Sequence, residues 1–374
     1  MKTFKAIFAG GGTGGHLFPA LTIASALKER LEPEYKTEFR FVGTKRGLEY
    51  RMKETLGYPL IILSVRGFMR SAILSNIVFP FVLFWAYVRS IFILRRFDPD
   101  IVIGTGGYVM GPVLMAAITL NMTRVIQEQN SYPGVTTRTL AKKVFKVFLG
   151  FADAKKYLPE CDTMVTGNPI RRSIGRADRK DAMAYFGLDE NKKTVLVLGG
   201  SQGALSINQN VLRHLDDLGD GIQLVWQTGE RAYTEVTAQA GGRVSGRALF
   251  AFTDKIELAY AAADLVIARS GALTLAEIEA AGLPAILIPF PYATADHQRK
   301  NAQSFVAAGA AVLVDDEQLG EVSLPAMARG ILDSDKLETM KNCVRKMREE
   351  RSKPAADVIV DYILQLSGVT KETA

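Results

Sequence analysis

The chain has 374 residues, more than one ordinary hydrophobic core accommodates, so two domains of usual size are expected. With 48% hydrophobic and 23% charged residues, an intrinsically disordered chain is excluded. A formal net charge of +7 favours anionic partners such as phosphorylated substrates or an acidic membrane surface; no nucleic acid is expected, because the basic residues are scattered and accompany no recognisable nucleic-acid module.

Lys2 and Lys5 lead straight into a short strand and a glycine turn with no signal peptide before them, so a cytoplasmic protein is expected. The apolar runs at 4–9, 39–42, 101–103 and 125–126 read as buried parallel strands of a first domain. Those at 194–198, 224–226, 265–268, 285–288 and 311–314 read as the strands of a second. Helical patterns separate them, for example at 19–31 and 273–281, and this alternation implies α/β architecture with helices on both faces of parallel sheets. AIFAGGGTGGH near residue 10 and VLVLGGSQGA near residue 199 echo each other: a strand, Gly-Gly, a hydroxyl residue, a further glycine. Each opens a βαβ series, which predicts two Rossmann-like, doubly wound domains facing each other across a cleft. The boundaries are 1–168 and 169–354, joined near GNPIRR at 167–172. A final amphipathic helix from about Pro354 carries Val358, Ile359, Tyr362, Ile363 and Leu366; periodicity leaves open whether it packs on its own domain or back on the first. Cys161 and Cys343 form no CxxC pair, which excludes a disulfide framework and fits a reducing compartment.

The most apolar stretch, 73–94, contains Asn76, Pro80 and Arg89, which argues against a membrane span of about 20 clean apolar residues. Its density of Ile77, Phe79, Phe81, Leu83, Phe84 and Trp85 exceeds what one core-facing stripe requires. Arg66, Arg70, Arg89, Arg95 and Arg96 flank it, and apolar residues ringed by arginine fit a membrane-surface patch.

Three glycine loops follow predicted strands, at 10–16 (GGGTGGH), 104–108 (GTGGY) and 199–204 (GGSQGA). Glycine there lets backbone N–H groups approach an anion, and the following helix N-terminus adds partial positive charge. The first loop formally matches G-x-G-x-x-G, but the second strand ends Val42-Gly43-Thr44-Lys45-Arg46 without an acidic residue for a ribose. That disfavours NAD and leaves NADP open. His16, on the first loop, suits a general base or a sugar-phosphate contact, whereas His214 reads as solvated surface. The richest segment runs from Asp264 to Asn301. A strand ends at Arg269-Ser270-Gly271, a helix carries Glu277 where a carboxylate can accept from a ribose diol, and a later loop ends Asp296-His297-Gln298. These groups cluster at strand carboxyl ends, where open α/β sheets place ligands.

GGGTGGH-x-x-PALTIA, GTGGYVMGP, QEQNSYPG, GNPIR, GGSQGA, RSGALTLAE and ADHQ-x-x-NA occur in that order across roughly residues 10–302. Together they closely resemble the MurG family, the UDP-N-acetylglucosamine:undecaprenyl-pyrophosphoryl-muramoyl-pentapeptide N-acetylglucosaminyltransferases of bacterial peptidoglycan synthesis. The resemblance implies the GT-B fold and inverting transfer of N-acetylglucosamine to lipid I, giving lipid II. It implies a protein peripheral to the cytoplasmic face of the cell membrane. The implied partners are UDP-N-acetylglucosamine, lipid I, the anionic inner-membrane surface and cell-wall synthesis proteins. Carried over by motif, Thr13, Gly14 and Gly15 are expected at the donor sugar and acceptor pyrophosphate, with Gly106, Gly107 and Tyr108 also at that pyrophosphate. Asn130 is expected on the N-acetylglucosamine, and Arg171 and Ser201 on the nucleotide and its diphosphate. Ala272, Leu273, Thr274, Leu275, Ala276 and Glu277 are expected along the nucleotide, Glu277 on the ribose, and Gln298 on sugar hydroxyls. Thr253 is expected at the uracil through its backbone, in a segment (Phe252 to Ile256) that departs from the family's F-I-x-D/N-M. His16 matches the residue usually proposed for catalysis, and Phe81, Phe84 and Trp85 fall where the family carries its membrane patch.

Single displacement needs a base within hydrogen-bond reach of the acceptor hydroxyl and loop amides with Arg171 against the departing diphosphate. No Asp-x-Asp of the metal-bridging type stands in a donor loop, so neither metal nor cofactor is expected. The competing readings are a UDP-sugar:diacylglycerol glycosyltransferase, a UDP-N-acetylglucosamine 2-epimerase, a nucleotide-sugar-binding scaffold and an NADP oxidoreductase.

Overall fold

The computed structural model describes residues 2–32, 34–65, 78–200, 203–244, 248–350 and 353–369. The strands of the first sheet are β1 (Lys2–Gly10), β2 (Tyr35–Gly43), β3 (Leu60–Ile62), β4 (Ile101–Gly106), β5 (Arg124–Glu128), β6 (Lys146–Leu149) and β7 (Thr163–Val165). Those of the second are β8 (Lys193–Leu198), β9 (Ile222–Gln227), β10 (Leu249–Phe250), β11 (Leu265–Ala268), β12 (Ala285–Leu287) and β13 (Ala311–Leu313). Every pairing among these strands is parallel. Parallel neighbours require crossover helices on the sheet faces, which is why the central strands are apolar on both sides. The first sheet has the order β3-β2-β1-β4-β5-β6-β7 and the second β10-β9-β8-β11-β12-β13. Both place their first strand at the point where strand order reverses, between β1 and β4 and between β8 and β11. The chain divides into two compact units, Met1–Ile170 with Lys353–Ala374, and Arg171–Ser352.

Four strands went unrecognised in the sequence: β3, β6, β7 and β10. Three of these are edge strands of two or three residues. The fourth, β6, begins with Lys146, which breaks the apolar run yet is only 9% exposed. Its ammonium pairs with Asp162 and lies 4.7 Å from the centre of the Tyr362 ring. The first helix also differs from expectation. It starts at Gly14 rather than at Pro19, and Pro19 lies inside it. His16 N–H and Leu17 N–H both donate to Thr13 O, so loop closure sets the helix start against the poor intrinsic propensity of Gly14 and Gly15.

The C-terminal helix, Ala355–Leu366, belongs to the first unit. Ala356, Ile359, Val360 and Ile363 share one buried cluster with Phe4, Phe8, Leu17, Ile23 and Leu27. Tyr362 meets Phe148 edge-on at 5.6 Å, and Arg30 pairs with Asp361 at 3.1 Å. Packing of this apolar stripe should stabilise the helix Gly14–Leu31 that it covers. Ile363→Ala is expected to cost about 2–4 kcal/mol through lost burial and the cavity left behind. Hydrogen exchange of the amides in Gly14–Leu31 should report that loss, and unchanged protection there would show that the contact does not stabilise the first unit.

Candidate functional site

In the first unit the loops that follow β1 and β4 meet at the reversal point of the sheet. Pairing runs Ala6↔Ile101 to Ala9↔Gly104 and then shifts register, so that Gly10 opposes Gly106. The bulge redirects both chains at the carboxyl ends of the strands. The first loop is held from beneath by Glu49, a residue that nothing in its local sequence, GTKRGLEYR, distinguishes. Its side chain is buried, and its two oxygens accept Gly12 N–H at 2.7 Å and Thr44 N–H at 2.7 Å. Leu48 N–H in turn donates to Gly12 O. A Cβ at Gly43 would stand 2.3 Å from Glu49 Cγ, so that glycine is required by the carboxylate's seat.

His16 lies on the first turn of the helix Gly14–Leu31, beside the exposed Thr13 and Gly15 and the half-buried Gly14. Its Nδ1 is 3.1 Å from Thr105 O and 3.2 Å from Gln129 Oε1, while Thr105 Oγ1 donates to His16 O at 2.8 Å. Gly106 has φ +111°, and a Cβ there would fall 2.3 Å from His16 Nδ1; the GTGGY loop therefore approaches the histidine only because this residue is glycine. Gly107 also has positive φ, and Tyr108 is 65% exposed. Behind them a second buried carboxylate shapes the QEQNSYPG loop. Glu128 accepts from Asn130 N–H at 3.1 Å, Gly134 N–H at 3.0 Å and Thr137 Oγ1 at 2.7 Å. Thr13, Gly14, Gly15, His16, Gly106 and Gly107 are thus drawn to one corner of the first unit, and Glu128 ties Asn130 into the loop after β5.

In the second unit the same reversal point brings the loops after β8 and β11 together. Ser201 lies outside the described residues. The helix Ala272–Ala281 follows Ser270 and Gly271 directly, and carries Ala272, Leu273, Thr274, Leu275, Ala276 and Glu277 on its first turns. Ser270 is fully buried, and its Oγ has no hydrogen-bond partner among the described residues. Glu277 Oε2 accepts from Tyr260 Oη at 2.9 Å. Burial raises the Glu277 pKa above that of an ordinary glutamate, while the Tyr260 hydroxyl and the nearby Arg171 guanidinium oppose the rise. Burial and the same carboxylate push the Tyr260 hydroxyl well up. Arg171 also donates to Asp254 O at 3.2 Å, the residue after the half-buried Thr253, whose Oγ1 accepts Lys255 N–H. Gln298, on the first turn of the helix His297–Ala307, accepts Phe290 N–H at 2.9 Å. Arg171, Thr253 and Glu277 therefore lie in one neighbourhood, with the foot of Ala272–Ala281 behind Glu277. Tyr260 was missed, and Arg269 was read only as the end of a strand. Arg269 pairs with Asp316 at 2.5 Å and donates to Ser206 Oγ at 2.8 Å, fixing the end of β11.

The helix Phe79–Phe97 has two apolar faces. Ala86, Ser90, Leu94 and Phe97 are buried, whereas Phe81, Phe84, Trp85 and Phe92 are 59–68% exposed on the opposite side, with Arg89, Arg95 and Arg96 also exposed. Phe92 extends the patch beyond the residues expected. Leu83 and Phe79 are half-buried; Arg66, Arg70, Ile73, Asn76 and Ile77 lie outside the described residues. No helix among the described residues is long and apolar enough to cross a membrane. His214, expected on the solvated surface, is instead half-buried at the end of its helix, 3.3 Å from Asp217.

Residues 6–149 match the glycosyltransferase family 28 N-terminal domain, and residues 194–358 match the glycosyltransferase family 28 C-terminal domain. The chain belongs to glycosyltransferase family 28. Within this family 28 protein, the unit Arg171–Ser352 carries most of the C-terminal domain, and the helix Ala355–Leu366 joins the other unit. The protein is 40% identical over 369 residues, 98% of each chain, to a Flavobacterium psychrophilum protein named UDP-N-acetylglucosamine--N-acetylmuramyl-(pentapeptide) pyrophosphoryl-undecaprenol N-acetylglucosamine transferase. Its fold is that of the crystal structure of Acinetobacter baumannii MurG (TM-score 0.73, 24% identity, 97% of this chain and 99% of that one), a GT-B glycosyltransferase. A Listeria monocytogenes putative UDP-N-acetylglucosamine 2-epimerase has a similar fold at 14% identity (TM-score 0.64, 98% of this chain and 97% of that one).

Glu49 gives the glycine loop of this family 28 protein its shape, so Glu49→Gln should weaken it by turning one acceptor into a donor that faces a backbone N–H. A loss of about 1–3 kcal/mol is expected for a buried mispaired group. Exchange of the Gly12 and Thr44 amides measures it; wild-type exchange rates in the variant would remove that role.

Proposed function

We propose that this family 28 glycosyltransferase moves N-acetylglucosamine from UDP-N-acetylglucosamine to the undecaprenyl-pyrophosphoryl muramoyl-pentapeptide lipid, inverting the anomeric carbon. The observation that carries the assignment is the 40% identity, over 98% of both chains, to a transferase named for that reaction. Likeness to the 2-epimerase reaches 14% and extends to the fold alone.

The first unit is assigned the acceptor and the second the nucleotide sugar. Glu277 takes the ribose hydroxyls, with Arg171 and Ser201 on the diphosphate, Thr253 at the uracil through its backbone, and Ala272–Ala276 along the nucleotide. Asn130 and Gln298 take the sugar, and Thr13, Gly14, Gly15, Gly106, Gly107 and Tyr108 border the acceptor pyrophosphate. The anion assignments are supported by amide-rich loops and the helix N-terminus at Ala272, which favour negative charge on the leaving diphosphate. His16 takes the proton of the attacking hydroxyl as the bond to the anomeric carbon forms and that to the diphosphate breaks. The exposed aromatic face of Phe79–Phe97, rimmed by Arg89, Arg95 and Arg96, docks the enzyme on the anionic cytoplasmic face of the cell membrane. Cell-wall synthesis proteins are its expected neighbours there.

UDP release from UDP-N-acetylglucosamine should depend on a soluble analogue of the lipid acceptor; release that ignores the acceptor would overturn the transferase assignment. Glu277→Ala should weaken donor binding about ten- to a hundredfold, the loss of hydrogen bonds to a charged group. The ribose requires the ionised carboxylate, and burial raises its pKa, so affinity should be full at neutral pH and fall on acidification earlier than for an ordinary glutamate. Calorimetric titration across pH checks this, and equal pH dependence in Glu277→Gln would remove the carboxylate from the site. Phe81→Ser with Trp85→Ser should reduce partition onto anionic vesicles about tenfold or more, because both rings leave water there. Unchanged flotation of the folded variant would free that face from membrane duty.

A further inference from the structure

We infer that Gln129 is a positioning residue that holds the His16 imidazole with its proton on Nδ1, through a one-way chain of side-chain amides, and so presents Nε2 as the base. The inference rests on the assignment of His16 as the proton acceptor and adds which nitrogen acts and what fixes it.

The chain of amides is anchored at both ends on backbone carbonyls, which can only accept. It starts at Gln129 O, which accepts from Asn168 Nδ2 at 3.0 Å. Asn168 is thereby oriented with Oδ1 toward Gln127, whose Nε2 donates to it at 3.0 Å. Gln127 then turns Oε1 toward Gln129, whose Nε2 donates to it at 2.5 Å. The same Nε2 donates at 2.7 Å to Thr105 O, the second anchoring carbonyl. Both protons of the Gln129 amide are then committed, and its Oε1 faces His16 Nδ1 at 3.2 Å. Thr105 O stands 3.1 Å from the same nitrogen. Both neighbours of Nδ1 are acceptors, so an unprotonated Nδ1 would set its lone pair against two carbonyl oxygens.

Gln127, Gln129, Asn168 and Thr105 are 0–5% exposed, so no water replaces a mispaired partner cheaply. Reversing any one amide would set donor against donor or acceptor against acceptor along the whole chain, back to an anchoring carbonyl. Nδ1 stays a donor whether the ring is neutral or has taken the substrate's proton on Nε2. Proton transfer therefore needs no rearrangement behind the ring. The orienting group is an amide rather than a carboxylate, which directs the ring without placing a full negative charge against it. The chain also links three sequence segments: the loop after β5, the GNPIR segment and the GTGGY strand end.

The test uses the full-length enzyme labelled with 15N in its three histidines, His16, His214 and His297, with His16→Gln to assign the His16 signals. In spectra recorded at alkaline pH, wild-type His16 is expected to show a protonated Nδ1 and an imine-type Nε2, in at least about tenfold excess over the other tautomer. Gln129→Leu should raise the Nε2–H form to a comparable share, and lower kcat about tenfold with the donor KM unchanged. A merely structural role for Gln129 would leave the tautomer ratio where it was. A wild-type ring carrying its proton on Nε2, or an unaltered ratio in Gln129→Leu, would overturn the inference. Full kcat in His16→Gln would instead overturn the base assignment while leaving the tautomer result intact.

Discussion

One pairing in each sheet sets the geometry of everything else: β1 against β4, and β8 against β11. On either side of that pairing the crossover helices pass to opposite faces, so the loops leaving the two strands diverge and open a crevice at the carboxyl ends. The glycine loops occupy that position in both units. In the first, the register shift between Ala9 and Gly10 adds a bulge at the very place where the loop must turn. Ligand chemistry follows from topology here, since exposed backbone amides and helix N-termini gather where the strands end.

Such loops are useful only if they hold their shape without a ligand. Backbone groups near a buried turn must be satisfied, and this protein satisfies many of them with side chains of its own. Glu49 ties Gly12 to Thr44, and Glu128 ties Asn130 to Gly134. Arg269 ties the end of β11 to the carbonyls of Ile288 and Pro289 and to Asp316. Glu49 and Glu128 are buried and Arg269 half-buried, and the partners of each are fixed dipoles or an opposite charge. The amide chain behind His16 does the same without any charge. Donors already aimed need not reorganise when charge moves.

The two units differ in what they add to this shared frame. The second gathers Glu277, Tyr260 and Arg171, a carboxylate that accepts from a hydroxyl and has a guanidinium nearby. The first carries a helix whose outward face is as apolar as its inward one, with Phe81, Trp85 and Phe92 on the side opposite Leu94 and Phe97. An exposed apolar face of that kind is unfavourable in water, which is the ground for the membrane docking proposed for it.

The parallel α/β class, the repeated Rossmann pattern, the central strands and the glycine loops are legible in the amino-acid sequence alone. Those features depend on local periodicity and on glycine's backbone freedom, and both are written in neighbouring residues. The sequence also marked His16, Glu277 and Gln298, because polar residues at predicted strand ends stand out against apolar runs. Where the C-terminal helix packs emerges only on folding, because an amphipathic stripe does not name the surface that covers it. Likewise β6 was hidden by Lys146, whose burial depends on Asp162 and on Tyr362 from that distant helix. Glu49, Gln129, Asn168 and Tyr260 were illegible for the same reason. Their significance lies in partners from 2 to 113 residues away, and a hydrogen bond's direction is fixed by the carbonyl it finally meets rather than by the residues beside it in the chain.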